Sequence, residues 1–81
     1  MDMTKTIELE RGVEIAGARV MTLTMREPTV DDQIIAGETK GGSALQEVTL
    51  LANLCEVAPA DIRRLAMRDY VKLQKAYAAF L

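Results

Sequence analysis

The stretch TLTMREPTVDD, residues 22–32, decides how this chain folds. Its first half alternates threonine with Leu23 and Met25, the period-two pattern of a strand that buries one face. Pro28 lacks the N–H that a central sheet ladder needs, so the strand should end at Arg26. This stretch therefore predicts a strand that passes directly into another kind of element.

The second half of the same stretch has the signals of a helix start. Thr29 is a favourable N-cap, and Asp31 and Asp32 lie in the first turn, where carboxylates interact with the exposed N–H groups. These acids are also possible metal ligands or catalytic acids, but the capping role is the commoner one for acids at a helix start. We expect a short helix that stops at Gly37, followed by a loop through Gly42.

The residues before this stretch predict the partner strand of a β-hairpin spanning residues 5–26. Ala16-Gly17 is the expected reversal. An uninterrupted hairpin would place Leu9 and Leu23 on opposite faces, whereas one extra residue near Gly12 sets Leu9 against Leu23 on the same face. We therefore predict a β-bulge near Gly12; two short hairpin segments joined by a loop are the alternative.

The remainder, residues 29–81, predicts three to four short helices. Ser43-Ala-Leu-Gln has the capping-box pattern of a second helix, whose wide apolar stripe runs to Cys55. Pro59 suits the first position of a third helix ending near Leu65, and a fourth helix is expected over residues 68–80. Strands followed by helices indicate an α+β fold, here a single domain over residues 1–81 with residues 1–4 frayed.

Composition excludes several kinds of site. The 81 residues include no histidine and one cysteine, so a Ser/His or Cys/His catalytic pair and an internal disulfide are impossible. Cys55 lies on an apolar stripe, as expected of a core thiol. We predict no enzyme activity, no metal and no cofactor, a cytoplasmic location without signal peptide or membrane span, and self-association because the core is small.

The charge is unevenly distributed along the chain. Residues 59–81 carry five cations and two acids, whereas the rest of the chain has five cations and ten acids. Two basic helices suggest a helix-turn-helix regulator of DNA as an alternative function. The overall charge of −2 and the pI of about 5.0 argue against nucleic acid as a partner, because phosphate contact needs a stronger positive field.

Four segments of the chain together resemble the small tail assembly chaperones of Mu-type contractile-tailed phages. They are residues 22–32, LANLC at 51–55, LAMRDY at 65–70 and the terminal Phe80-Leu81. The resemblance extends over about residues 5–81. Ala58 departs from the pattern, because a serine-type cap often precedes the proline in such sequences. The residues that carry the motif are Arg26, Glu27, Pro28, Thr29, Asp32 and Asp69.

This resemblance implies a role in phage tail assembly in the host bacterial cytoplasm. Such proteins bind the long helical tape-measure protein and help the tail tube protein to assemble around it. Arg26 and Glu27 would then be either a conformational latch or a surface pair. A groove that accepts a helix needs an adaptable apolar surface. We predict that six residues form this groove; the alternative is that they form only the core. They are Met21, Leu23, Met25, Tyr70, Tyr77 and Phe80.

Overall fold

The protein folds as a two-stranded antiparallel hairpin followed by four helices, in a computed structural model that describes residues 3–81. The strands are β1 (Thr4–Ile15) and β2 (Ala18–Arg26). The helices are α1 (Val30–Glu38), α2 (Ser43–Cys55), α3 (Pro59–Arg63) and α4 (Met67–Phe80). The predicted α+β class is therefore confirmed. The fraying expected at residues 1–4 falls partly outside the described residues, and Thr4 already belongs to β1.

The hairpin reverses at Ala16-Gly17, where both residues have positive φ (53° and 81°). Such a pair forms the tight turn whose twist matches that of paired strands. Ile15 pairs with Ala18, and β2 ends at Arg26, both as expected.

The bulge lies where the sequence predicts it but is larger. Glu8 pairs with Thr22 and Val13 with Val20, so residues 9–12 of β1 face the single residue Met21 of β2. The predicted pairing of Leu9 with Leu23 is wrong, because three extra residues rather than one are accommodated, and Ile7 lies opposite Leu23 instead. An odd number of extra residues restores the common apolar face in either case. β1 is continuous through the bulge, which excludes two segments joined by a loop.

The core lies between the apolar face of the hairpin and the helices. α2 packs against β2 and contacts the other three helices, whereas α4 runs along β1. Burial of these aliphatic side chains is the main source of stability for a chain with so few aromatic residues. The buried apolar residues are Ile7, Leu9, Val13, Leu23, Met25, Ala36, Leu50, Leu51, Ala52, Leu54, Cys55, Ile62 and Leu73.

Local signals set the helix boundaries with one exception. Thr29 caps α1 through its side chain as predicted, and α1 extends one residue past Gly37. The capping box predicted at Ser43 is wrong, because Gly42 is the N-cap of α2 and makes no side-chain bond. The Gln46 amide instead donates to the carbonyls of Gly37 and Thr39 and so joins α2 to the end of α1.

Candidate functional site

The bulge of β1 encloses a carboxylate from the other end of the chain. The backbone N–H of Glu10 donates to Asp69 Oδ1 at 2.7 Å, and those of Arg11 and Gly12 donate to Oδ2 at 3.0 and 3.2 Å. Consecutive N–H groups that converge in this way form a concave anion site. Asp69 lies in the first turn of α4, so this contact joins α4 to the hairpin.

Only glycine fits at position 12 of this bulge. Gly12 has φ +74°, and a Cβ there would lie 2.7 Å from the Val20 carbonyl oxygen and 2.5 Å from Met21 Sδ. The glycine therefore allows β1 to curl around the carboxylate while β2 passes behind it.

The Asp69 carboxylate is fully buried, and its hydrogen-bond donors favour the ionised form. Burial by itself raises the pKa of Asp69, but the three backbone N–H donors and the positive charge of Lys72 outweigh burial, so the pKa is lowered from its ordinary value. The Lys72 ammonium also donates to the carbonyl of Glu8 at 2.9 Å. Asp69 and Lys72, one turn apart on α4, thus bind neighbouring parts of β1.

A second carboxylate holds the junction between β2 and α1. Arg26 binds Asp32 through two parallel hydrogen bonds of 2.8 Å each, and Asp32 also accepts from the backbone N–H and hydroxyl of Thr29. The hydrogen bond from Arg26 is the main reason that the pKa of Asp32 lies far below its ordinary value. The cap predicted from the helix-start signal is confirmed, and Asp31 remains exposed.

The partner of Arg26 is therefore Asp32, not the side chain of Glu27. Arg26 reaches only the backbone carbonyl of Glu27, at 3.5 Å. Glu27 extends the hairpin by donating its N–H to the Met3 carbonyl at 2.9 Å, and its side chain is exposed. Pro28 lies half-buried between the two elements.

Two of the six residues predicted to bind a partner belong to the core. Leu23 and Met25 are 5% and 0% exposed, so a partner has no access to them in this conformation. Met21 lies on the same strand beyond the covered region and is 44% exposed. The alternation of the strand predicted its buried face, but not that the chain's own helices would cover it.

The three aromatic residues lie half-buried along α4 at the edge of the core. The Tyr70 hydroxyl donates to the Glu47 carboxylate, and Tyr77 accepts from the Gln33 amide. Lys5 lies 5.1 Å above the ring of Phe80.

The accessible members of the predicted set do not meet at one point. Met21 contacts the bulge, whereas Phe80 lies under Lys5, which pairs with Met25 four residues further along β2. That spacing corresponds to about 13 Å along an extended strand. Met21 and Phe80 therefore lie at different ends of the hairpin, near the bulge and near the end of β2 respectively.

An apolar groove that sequence reasoning missed lies between α2, α3 and the start of α4. It encloses about 280 Å³, and Leu45 and Met67 at its rim are 40% and 69% exposed. Apolar residues at helix starts gave the only signal for it. Its lining residues are Ala44, Leu45, Val48, Ile62, Arg63, Leu65, Met67 and Tyr70.

The basic residues near the C-terminus are largely engaged by neighbouring acids and carbonyls. Arg68 and Lys72 lie 3.6 and 4.0 Å from the Glu10 carboxylate, and Arg64 binds Asp61 at 2.6 Å. Because α4 also packs along β1, it is not a free recognition helix. This arrangement gives no support to the helix-turn-helix alternative.

The single thiol is part of the buried core. Cys55 is buried at the end of α2, and burial raises its pKa to about 11. A thiol with so high a pKa is a weak nucleophile at neutral pH. The core role predicted for Cys55 is therefore confirmed.

Comparison with known families decides what kind of protein this is. The family model described as "Phage tail assembly chaperone proteins, E, or 41 or 14" matches residues 6–81. The chain belongs to the phage tail assembly chaperone family. Comparison with curated proteins and with solved structures yields no significant match. Membership of this family implies that the chaperone has a non-enzymatic role in tail assembly.

The match places the two carboxylate contacts of the chaperone inside the family region. Asp32 and Asp69, with their partners Arg26 and the bulge, all lie within residues 6–81. Within the part of the chain that the structure describes, no helix has the length and apolar character needed to cross a bilayer.

Proposed function

We propose that this chaperone binds the helical tape-measure protein in the cytoplasm of the infected bacterium, and that the apolar groove between α2, α3 and α4 receives one face of a tape-measure helix. Family membership supports a role in tail assembly, and the groove is the observation that supports a helical partner. Amphipathic helices bind such grooves by inserting a few apolar anchors one turn apart.

The groove has the chemistry of a surface that accepts varied helices. Leu45 and Met67 expose flexible apolar side chains at its rim, and Met adapts its shape at low cost. The exposed side chain of Arg63 borders the same groove and suits an acidic residue flanking the anchors. Tyr70, predicted from the sequence as a partner contact, lies within it.

The other predicted contacts remain proposals. In this proposal the exposed Met21 and the half-buried Tyr77 and Phe80 extend the contact beyond the groove, or receive the tail tube protein as a second partner. In this proposal Leu23 and Met25 act indirectly, because they hold the hairpin against the helices.

The test is co-purification of the chaperone with the tape-measure protein of the same phage, using Met67→Glu and a matched control. Met67 and Val30 are both apolar, both more than two-thirds exposed, and both the first residue of a helix. A glutamate at that position is compatible with either helix. Met67→Glu should therefore reduce the recovery of tape-measure protein at least tenfold, whereas Val30→Glu should leave it unchanged.

Two results would contradict the proposal. Absence of any complex between the wild-type chain and the tape-measure protein would refute tape-measure binding. Equal recovery with both variants would refute the groove as the binding surface.

A further inference from the structure

The outer edge of β2 has backbone groups that no residue of the described chain pairs with. The sheet has two strands among residues 3–81. The Glu27 N–H donates to the Met3 carbonyl, so Met3 and Glu27 form a hydrogen-bonded pair. Antiparallel pairs alternate between hydrogen-bonded and open pairs, so the open pairs include Thr6 with Thr24 and Glu8 with Thr22. The N–H and C=O groups of Thr22 and Thr24 therefore point away from β1.

The two edges of the hairpin differ in how they are covered. On the β1 edge, Lys72 of α4 donates to the outward carbonyl of Glu8, and the Asp69 carboxylate accepts hydrogen bonds from the N–H groups of the bulge. On the β2 edge, no hydrogen bond among the described residues reaches the outward groups of Thr22 or Thr24. An uncovered edge of this kind is a template for another strand.

A groove runs beside this open edge. It has a volume of about 740 Å³, with Thr22, Thr24 and Arg26 of β2 on one side and the end of α2 on the other. Leu54 and Cys55 lie beneath the α2 side of the groove, but they are 0% and 7% exposed and therefore belong to the core. A strand of about five residues would span roughly 16 Å here, opposite residues 22–26.

The charge at the groove indicates what kind of strand it suits. The Arg26 guanidinium is bound to Asp32, whereas Glu27 and Glu56 line the groove with exposed side chains and make no ion pair among the described residues. The groove thus presents net negative charge, and residues 1–58, to which it belongs, carry ten acids against five cations. A second copy of β2 would bring a second Glu27 toward these acids.

We infer that the open edge of β2 binds an extended, basic segment of a partner protein, which adds as a third strand between β2 and the end of α2. Its backbone pairs with Thr22 and Thr24, and its lysines or arginines lie near Glu27 and Glu56. This site is separate from the helix groove proposed above, on the other part of α2.

The test uses a model peptide, acetyl-(Lys-Val)₃-amide, with amide hydrogen exchange of the ¹⁵N-labelled chain as the readout. The peptide should slow exchange at Thr22 and Thr24 at least tenfold and leave Thr6 unchanged. The matched acetyl-(Glu-Val)₃-amide should bind about tenfold more weakly, because the attraction of the peptide lysines to Glu27 and Glu56 is replaced by repulsion between carboxylates. The same basic peptide N-methylated at every residue should not protect these amides, because it cannot donate to the outward carbonyls of Thr22 and Thr24 and its methyl groups block close approach of the strand.

Two proline variants provide matched controls in the protein. Thr24→Pro removes an outward N–H on the open edge and Thr6→Pro removes one on the other edge, and the two residues face each other in an open pair. Neither change removes a hydrogen bond of the hairpin, and proline is tolerated at such edge positions. Thr24→Pro should weaken peptide binding at least about fivefold, while Thr6→Pro should not.

The inference is overturned if the basic peptide protects neither Thr22 nor Thr24, or if N-methylation makes no difference. It is also overturned if the two amides become protected as the chain alone is concentrated, because the occupant would then be a second copy. The N-methylated peptide keeps the test decisive even if Thr24→Pro prevents folding. These outcomes are independent of tape-measure recovery, so failure here leaves the helix-groove proposal standing.

Discussion

Replacing Asp69 by alanine tests the claim that the bulge and α4 stabilise each other. The change leaves the N–H groups of Glu10, Arg11 and Gly12 without their acceptor, and the Gly12 group is buried. Hydrogen bonds to a charged group contribute about 1.5–3 kcal/mol each, but three that share one carboxylate are not additive. Since water can reach two of these donors, we expect a loss of about 3 kcal/mol in the free energy of unfolding.

That loss is large for a chain of this size. A domain of 81 residues is stable by roughly 4–12 kcal/mol, and its urea dependence is about 1 kcal/mol per molar. Asp69→Ala should therefore lower the urea midpoint by about 3 M without a change in slope. Asp69→Asn, which keeps one acceptor oxygen but loses the charge, should give an intermediate shift.

Asp61 provides the matched control for this experiment. It is also an aspartate at the third position of a helix, but among the described residues its carboxylate binds the Ala58 N–H and Arg64 near the surface. Asp61→Ala should cost about 1 kcal/mol, as the loss of a helix cap does. Equal midpoint shifts for Asp61→Ala and Asp69→Ala would show that the bulge contact contributes nothing beyond ordinary capping.

Further predictions concern the hairpin turn, the bulge, acid stability and association. Ala16 has φ +53°, so Ala16→Gly should raise the melting temperature by about 5 °C, and an unchanged or lower value would show that the turn is not strained. Gly12→Ala should destabilise the chain by about 2 kcal/mol or more in urea titration, because its Cβ meets the Val20 carbonyl oxygen. The pKa of Asp32 is lowered on folding, so its contribution is present above the unfolded value near 4 and is lost as the pH falls below it. Asp32→Asn should therefore flatten the acid limb of a pH–stability curve, and an unchanged limb would contradict this. Light scattering at high concentration should show oligomers, and a strict monomer would refute the predicted self-association.

Local signals in the sequence were sufficient for most element boundaries. The Ala16-Gly17 reversal, the end of β2 at Arg26 and the Thr29 cap each depend on residues within a few positions of one another. Such features are set by backbone conformation and short-range hydrogen bonds. They are therefore accessible without knowledge of the packing.

The size of the bulge was not accessible in this way. The hydrophobic pattern requires only an odd number of extra residues, and the choice of three depends on Asp69, which lies 57 residues after Gly12. The one available signal was an acid at position 69 in a mostly basic segment, together with a glycine at the bulge. Connecting them requires knowing that α4 runs along β1.

The candidate site was less accessible to sequence reasoning for a similar reason. Alternation shows that Leu23 and Met25 share an apolar face, but it does not show whether a partner or the chain's own helices cover that face. The helix groove lies between three helices, and the groove beside the open edge of β2 lies between a strand and the end of α2. Both surfaces depend on tertiary geometry that no local pattern specifies.

The Asp69 contact also sets an order of events during synthesis on the ribosome. The hairpin emerges first, but the carboxylate that satisfies its three bulge N–H groups is made 57–59 residues later. At bacterial rates of about 5–20 residues per second this delay is roughly 3–12 s. During that interval the newly made hairpin presents unpaired N–H groups and an uncovered apolar face to the cytosol, so the nascent chaperone itself is most vulnerable to aggregation before its last helix is complete.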